Sequence, residues 1–270
     1  MAMMRSVMGL TSLILIGAAI VFMFFVVLSG VTDTTPLNKT YFLRADTSSI
    51  SSARPVSQWT YFYVCGQGNT DCGKPVPDLP FGYAWVGGGQ GAPSSLTGSH
   101  GKGTTSTHYY YLWRFGWVFY LMGLFFAVCA FFVSLLAVCS RLGSYIGAVT
   151  LMTALFFFSL GASLMTAEFV QARNRFQSNG INASLGRWAF GWTWGAWAAM
   201  FLAMITLCLG GALGGESRRQ RKRDSAMHTE PAVGNGGSRG FNFYRNQRKR
   251  RERGSFAETE SQRRVKDEYA

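Results

Sequence analysis

The cysteine pair Cys65 and Cys72 could bind a metal, exchange electrons or form a structural disulfide. A zinc site would need two more ligands, and the nearby His100 and His108 have no usual zinc spacing relative to the cysteines. A redox C-x-x-C motif is excluded because six residues separate them. A disulfide remains, provided that this part of the chain lies in an oxidising compartment.

Long apolar segments indicate where that compartment lies. The chain is 48% hydrophobic yet carries a formal charge of +13, and the two properties occupy different parts of the sequence. Four apolar runs are each long enough to cross a bilayer as a helix. We therefore predict an all-α transmembrane four-helix bundle. Its parts are a cytosolic N-terminus (1–6), TM1 (7–31), extracellular loop 1 (32–114), TM2 (115–139), a short cytosolic link (140–141), TM3 (142–167), extracellular loop 2 (168–187), TM4 (188–213) and a basic disordered cytosolic tail (214–270).

The first apolar run follows a basic residue, Arg5, as in a secretory signal peptide. It is longer than the roughly 7–15 residues of a signal-peptide core, so we interpret it as an uncleaved anchor. Basic residues favour the cytosolic side. The cluster at 218–223 outweighs Arg173, Arg175 and Arg187 in the loop between TM3 and TM4, which places both termini in the cytosol.

Two N-x-S/T sequons, at Asn38 and Asn182, fall in the predicted outer loops and are candidate N-glycosylation sites. Loop 1 holds the cysteine pair, and we predict that the aromatic stretch 59–64 forms a strand joined by a turn to a second, disulfide-linked strand. Its glycine-rich part, 86–107, is typical of flexible chain. Residues 32–113 of the loop include five basic and four acidic residues, so we expect no surface for a charged ligand.

The predicted helices contain few groups that could do chemistry. Cys129, Cys139 and Cys208 are expected to be buried thiols or palmitoylation sites near the cytosolic face. Glu168 is expected at the interface with water, so no span carries a buried carboxylate. We predict no catalytic residue, no metal and no cofactor. Pairs of glycines four apart indicate close helix packing within the chain; they are Gly143/Gly147, Gly191/Gly195 and Gly210/Gly214.

The tail from residue 216 has fifteen basic and eight acidic residues, a net charge of +7. Basic residues beside a membrane gain roughly 1 kcal/mol each from anionic lipid. We predict contact with anionic inner-leaflet lipid or a cytosolic scaffold, and no nucleic-acid partner; the alternative is a solvated tail. The contact residues are Arg218, Arg219, Arg221, Lys222, Arg223, Arg245, Arg248, Lys249, Arg250, Arg251 and Arg253.

The stretch "PLNKTYFLRADTSSI" (36–50), followed by Trp59 and the cysteine pair, with four spans and a basic tail, resembles the fungal Sur-seven/PalI family of plasma-membrane tetraspan proteins. The motif residues are Pro36, Leu37, Asn38, Tyr41, Asp46 and Trp59. The family is distantly similar to claudins, but the claudin-type Gly-Leu-Trp is missing here, so a tight-junction function is not carried over.

The resemblance implies a non-enzymatic structural organiser of eisosomes, which are furrow-like patches of the fungal plasma membrane. It also implies roles in membrane organisation, cell-wall integrity and endocytosis, with eisosome scaffold proteins or self-association as partners. The alternative is a sensor or receptor accessory protein of the PalI type in ambient-pH or stress signalling. A membrane enzyme or transporter is the third hypothesis.

Overall fold

The chain folds into four long helices and a small sheet at one end of them. The computed structural model describes residues 2–137 and 141–227, with side chains in 7–135 and 143–209. The helices are α1 (Ala2–Val27), α3 (Thr107–Ala137), α4 (Arg141–Ser178) and α5 (Arg187–Met227), and α2 (His100–Gly103) is a single turn in which Gly101 and Lys102 have left-handed backbone. The strands are β1 (Leu43–Asp46), β2 (Val56–Trp59), β3 (Val64–Cys65) and β4 (Ala183–Leu185).

Four helical segments are long and apolar enough to cross a membrane, which confirms the predicted four-span bundle. They are Val7–Val27, Thr107–Leu135, Gly143–Ser178 and Arg187–Leu209. Residues up to Gln220 form one compact unit, and a second unit starts at Arg221. Of the second unit the structure describes only the last turns of α5, to Met227.

The helix ends differ from the expected limits. α1 stops at Val27 because Gly30 adopts a left-handed backbone (φ 86°), which ends helices readily. α3 begins at Thr107, ahead of the expected 115, and α4 continues to Ser178, well past the expected 167. α5 runs through the first basic cluster, 218–223, where a disordered tail was expected.

The sheet joins both loops at the same end of the bundle. Its strand order is β3-β2-β1-β4, and all neighbouring strands are antiparallel. Three strands come from the first loop, whereas β4 lies between α4 and α5. Leu43 of β1 pairs with Trp59 of β2 on one side and Leu185 of β4 on the other. The sheet therefore has four strands where two were predicted, and the predicted second strand, after the disulfide turn, is wrong: no strand lies between Cys72 and α3, a range that the structure describes throughout.

An aromatic core connects this sheet to the helices. The fully buried ring of Phe42, which precedes β1, stacks on Phe169 of α4 at 4.9 Å between ring centroids. Trp113 of α3 and Phe190 of α5 meet the same ring edge-on. Trp59 stacks on Phe81 at 5.0 Å and donates its indole N–H to the Phe81 carbonyl. The sheet and all four long helices belong to one continuous hydrophobic core.

Part of the glycine-rich stretch 86–107 is ordered by packing, contrary to the expectation of flexible chain. Leu96 and Thr105 are fully buried. The Thr105 hydroxyl accepts the Gly82 backbone N–H at 2.8 Å, and Trp85 donates its indole N–H to the Thr104 carbonyl. These contacts hold the stretch against the short 3-10 helix Phe81–Trp85.

Glycines allow α3 and α4 to approach closely. A Cβ added at Gly161 would lie 2.5 Å from the backbone nitrogen of Tyr120, and one added at Gly123 would lie 2.9 Å from the backbone of Phe158. These glycines lie outside the pairs singled out from the sequence. In one of those pairs, a Cβ added at Gly191 would have no other atom within 4 Å.

We predict that Gly161→Ala lowers the free energy of unfolding by about 1–3 kcal/mol, because its methyl group overlaps backbone atoms that cannot move aside. Gly191→Ala is the matched control and should leave stability unchanged or raise it slightly, since alanine favours helix. Thermal unfolding of the two variants in identical detergent micelles measures the difference. Equal melting temperatures would contradict the close α3–α4 packing.

Candidate functional site

The cysteine pair forms a disulfide at the sheet edge. Cys65 lies in β3 and is bonded to Cys72 in the loop that follows, seven positions later. We call residues 65–72 the disulfide loop. The bond confirms the predicted staple, but it closes a turn beside the sheet and does not cross-link two strands. The Gly66 N–H donates to the Thr70 carbonyl at 2.7 Å inside this turn.

The aromatic stretch preceding Cys65 makes a tight hairpin instead of the single strand expected. β2 ends at Trp59 and β3 starts at Val64, and the Thr60 N–H donates to the Tyr63 carbonyl at 2.9 Å between them. Tyr61 at the tip is fully buried against α3 and donates its hydroxyl to the Trp117 carbonyl at 2.7 Å. Burial raises the pKa of Tyr61 well above its ordinary value. The tip anchors the hairpin in the bundle.

Asn69 connects the disulfide loop to the family motif. Its side-chain amide donates to the carbonyls of Leu37 and Thr40, at 2.7 and 2.8 Å. Its backbone N–H donates to Oε1 of Gln58 in β2 at 2.9 Å. Asn69 is fully buried and has a left-handed backbone (φ 55°), which asparagine tolerates better than most residues. Asn69 is not among the residues predicted from the sequence, although a Gly-Asn pair in a turn is a usable signal.

The family-motif residues have different structural roles near Asn69. Leu37 belongs to a short 3-10 turn, Leu37–Lys39, and Pro36 accepts the Thr40 hydroxyl through its carbonyl at 3.0 Å. Trp59 is a core residue. Asp46 is exposed, and hydrogen bonds from the side chain and backbone of Ser48 hold the pKa of its carboxyl below the ordinary value.

A concave space of about 280 Å³ lies where the motif, the disulfide loop and the start of α5 meet. We call it the basic cavity because three of its lining residues are cationic and none is acidic. The lining residues are Asn38, Lys39, Tyr41, Arg44, Gln58, Gln67, Gly68, Leu185, Arg187 and Trp188. Its residues come from both loops, so only the folded sheet brings them together.

The two sequons lie in different environments. Asn38 is half-buried at the basic cavity, and the threonine of its sequon, Thr40, is fully buried. Asn182 is exposed directly before β4, and its backbone carbonyl accepts the Asp46 N–H at 2.9 Å. Glycan attachment at both sites stays a prediction.

The prediction that the Glu168 carboxylate lies at the interface with water is wrong. Its side chain is fully buried in α4, next to Phe169, whose ring packs against Trp113. Neither carboxyl oxygen nor the Trp113 indole N–H has a hydrogen-bond partner among the described residues. Asp78, by contrast, makes an ion pair with Arg114 near the start of α3. Burial raises the pKa of Asp78, and the cation opposes that shift.

The remaining predicted site residues are separate from the basic cavity or outside the described part of the chain. The first basic cluster lies in α5, where side chains are not described, and the second, 245–253, lies outside the described residues, as does Cys139. Cys129 is half-buried and Cys208 exposed. In the described ranges, no group of histidine, cysteine, aspartate or glutamate side chains could hold a metal ion.

Comparison with known proteins identifies relatives in yeasts. Residues 8–206 match the sequence profile of the SUR7/PalI family. Protein SUR7 of Candida albicans is 29% identical over 244 residues, which cover 87% of this chain and 86% of the relative. The SUR7 family protein FMP45 of Saccharomyces cerevisiae is 32% identical over 207 residues, covering 74% and 64%. An uncharacterized plasma membrane protein of the same yeast is 30% identical over 199 residues, covering 71% and 62%.

We predict that Asn69→Ala destabilises the fold by about 2–3 kcal/mol, because two buried carbonyls lose their donor and alanine disfavours the left-handed backbone. Asn69→Gly removes the same hydrogen bonds but tolerates the backbone, so it should cost less than Asn69→Ala. Thermal unfolding under non-reducing conditions measures both, and mass spectrometry checks that the disulfide is intact. Wild-type stability in both variants would contradict the connecting role of Asn69.

Proposed function

The chain belongs to the SUR7/PalI family, and on that premise we propose that it is a non-enzymatic structural organiser of a plasma-membrane microdomain, the eisosome. Its four spanning helices make it a membrane protein in contact with the lipid bilayer. The plasma-membrane description of one yeast relative supports that location for this chain. Eisosome patches, cell-wall integrity and endocytosis are the proposed context.

The observation that carries the proposal is the shared core of sheet and bundle. Phe42, Trp59 and Tyr61 anchor the sheet to α3 and α4, and the disulfide and Asn69 fix the loops above it. Such a rigid platform suits lasting contacts with neighbouring molecules better than a loop that must reshape around a substrate. It supports a structural role on the outer membrane surface.

We further propose that both termini are cytosolic and that the sheet faces the cell wall. The disulfide favours this orientation, because disulfides persist in oxidising compartments. The basic cluster at 218–223 favours it as well, since positive residues are retained on the cytosolic side. The tail then meets anionic inner-leaflet lipid or an eisosome scaffold protein.

A sensor or receptor accessory role, in ambient-pH or stress signalling, is the second candidate. The basic cavity favours it, because an open, charged concavity on the proposed outer face is suited to a ligand. Deleting the gene separates the two roles: a sensor's loss abolishes one response and leaves the patches intact, whereas an organiser's loss alters the patches themselves.

We predict that a fluorescent fusion expressed from its own promoter forms stable, immobile patches at the plasma membrane. A multi-pass organiser bound to a scaffold diffuses slowly, so photobleached patches should recover little within minutes. Another four-span plasma-membrane protein carrying the same tag is the control. An even distribution with rapid recovery would rule out the organiser role.

We predict that changing Arg248, Lys249, Arg250 and Arg251 to glutamine weakens binding to vesicles containing anionic lipid at low salt, because each residue loses its attraction to the surface. The effect should shrink at high salt, where charges are screened. Neutralising Arg263, Arg264 and Lys266, outside the cluster, is the control for overall charge. Unchanged binding of the cluster variant would leave a solvated tail as the explanation.

A further inference from the structure

The basic cavity carries positive charge that no acidic residue in its lining neutralises. Lys39, Arg44 and Arg187 line it, and no aspartate or glutamate does. Within the described residues none of the three makes an ion pair, whereas Arg54 and Arg114 pair with Asp71 and Asp78 elsewhere at this end of the molecule. Like charges gathered around a concavity focus a positive field into it. The cavity is therefore suited to an anion.

The donors around the cavity suit an oxyanion. Arg44 and Arg187 each carry a planar guanidinium group, which matches the spacing of two phosphate or carboxylate oxygens. Gln58 accepts the Asn69 N–H through Oε1, which leaves its amide NH₂ as a donor at the cavity. Because Asn69 also holds Leu37 and Thr40, the hydrogen bonds that fix the disulfide loop also fix one wall of the cavity.

The position of the cavity indicates where the anion comes from. Arg187 and Trp188 line the cavity and are also the first two residues of the spanning segment Arg187–Leu209. Trp188 is 47% exposed, and tryptophan favours the headgroup layer of a bilayer. The cavity therefore opens at headgroup depth. Its volume of about 280 Å³ accommodates a headgroup, whereas acyl chains would lie along the apolar surface of α5.

We propose that the basic cavity binds the phosphate group of an anionic phospholipid from the leaflet on the sheet side. Arg44 and Arg187 bind the phosphate oxygens, Lys39 adds charge at the rim, and Trp188 packs beside the glycerol backbone. This assignment goes beyond the proposed organiser role. An evenly distributed fluorescent fusion would overturn that role and leave the binding site unaffected.

The test uses the full chain, purified in detergent with the disulfide intact. Binding of short-chain phosphatidylinositol is measured by microscale thermophoresis, with short-chain phosphatidylcholine and inorganic phosphate as the other probes. The double variant Arg44→Gln/Arg187→Gln removes two cavity cations and should weaken phosphatidylinositol binding at least about tenfold. Arg173→Gln, whose side chain meets Asn174 at the same end of the molecule, is the control and should bind like wild type.

Lys39→Gln supplies an independent variant that keeps the Asn38 sequon and should weaken phosphatidylinositol binding several-fold. If all variants have the melting temperature of the wild type, their weaker phosphatidylinositol binding is not caused by a loss of fold stability. An equal loss for Arg173→Gln, or no binding by wild type, would overturn the site. If inorganic phosphate binds as tightly as phosphatidylinositol, the cavity is a phosphate site and its assignment to a lipid is overturned. Equal binding of phosphatidylcholine would overturn the preference for an anion.

Discussion

Strand β1 is paired on both edges, and the arrangement of the sheet end depends on that double pairing. On one edge β2 extends the first loop into the hairpin and the disulfide loop, and on the other β4 ties in the loop between α4 and α5. Phe42, directly before the strand, fixes this sheet to α3, α4 and α5 through ring contacts. A shift of β1 by one residue would move Leu43 and Ala45 from the core to the opposite face.

The sequence predicts the helices and the disulfide, because both follow from local composition. Apolar length defines a span without knowledge of its neighbours, and Cys65 has only Cys72 as a partner in its loop. The sheet is different. Ala183–Leu185 has no strand signature of its own and becomes β4 only because β1 presents a free edge there. The buried role of Asn69 likewise depends on carbonyls about thirty positions away in the chain.

The arrangement of charges in space likewise cannot be predicted from the sequence. The first loop is nearly neutral when its residues are counted, which conceals how they are arranged in space. Asp71 and Asp78 are paired with Arg54 and Arg114, while Lys39 and Arg44 join Arg187 from the other loop. Glu168 is a converse case: its place near the end of an apolar run suggests access to water, yet α4 continues for several more turns and packing around Phe169 buries the carboxyl.

The position of β4 between α4 and α5 has a consequence for biosynthesis. Three strands and both cysteines of the disulfide are synthesised before α3, but the edge of β1 stays open until the chain beyond α4 has been made. An exposed edge strand invites pairing with other chains. The complete sheet, and the concavity that needs Arg187, can therefore form only after the chain has been made through β4 and the start of α5.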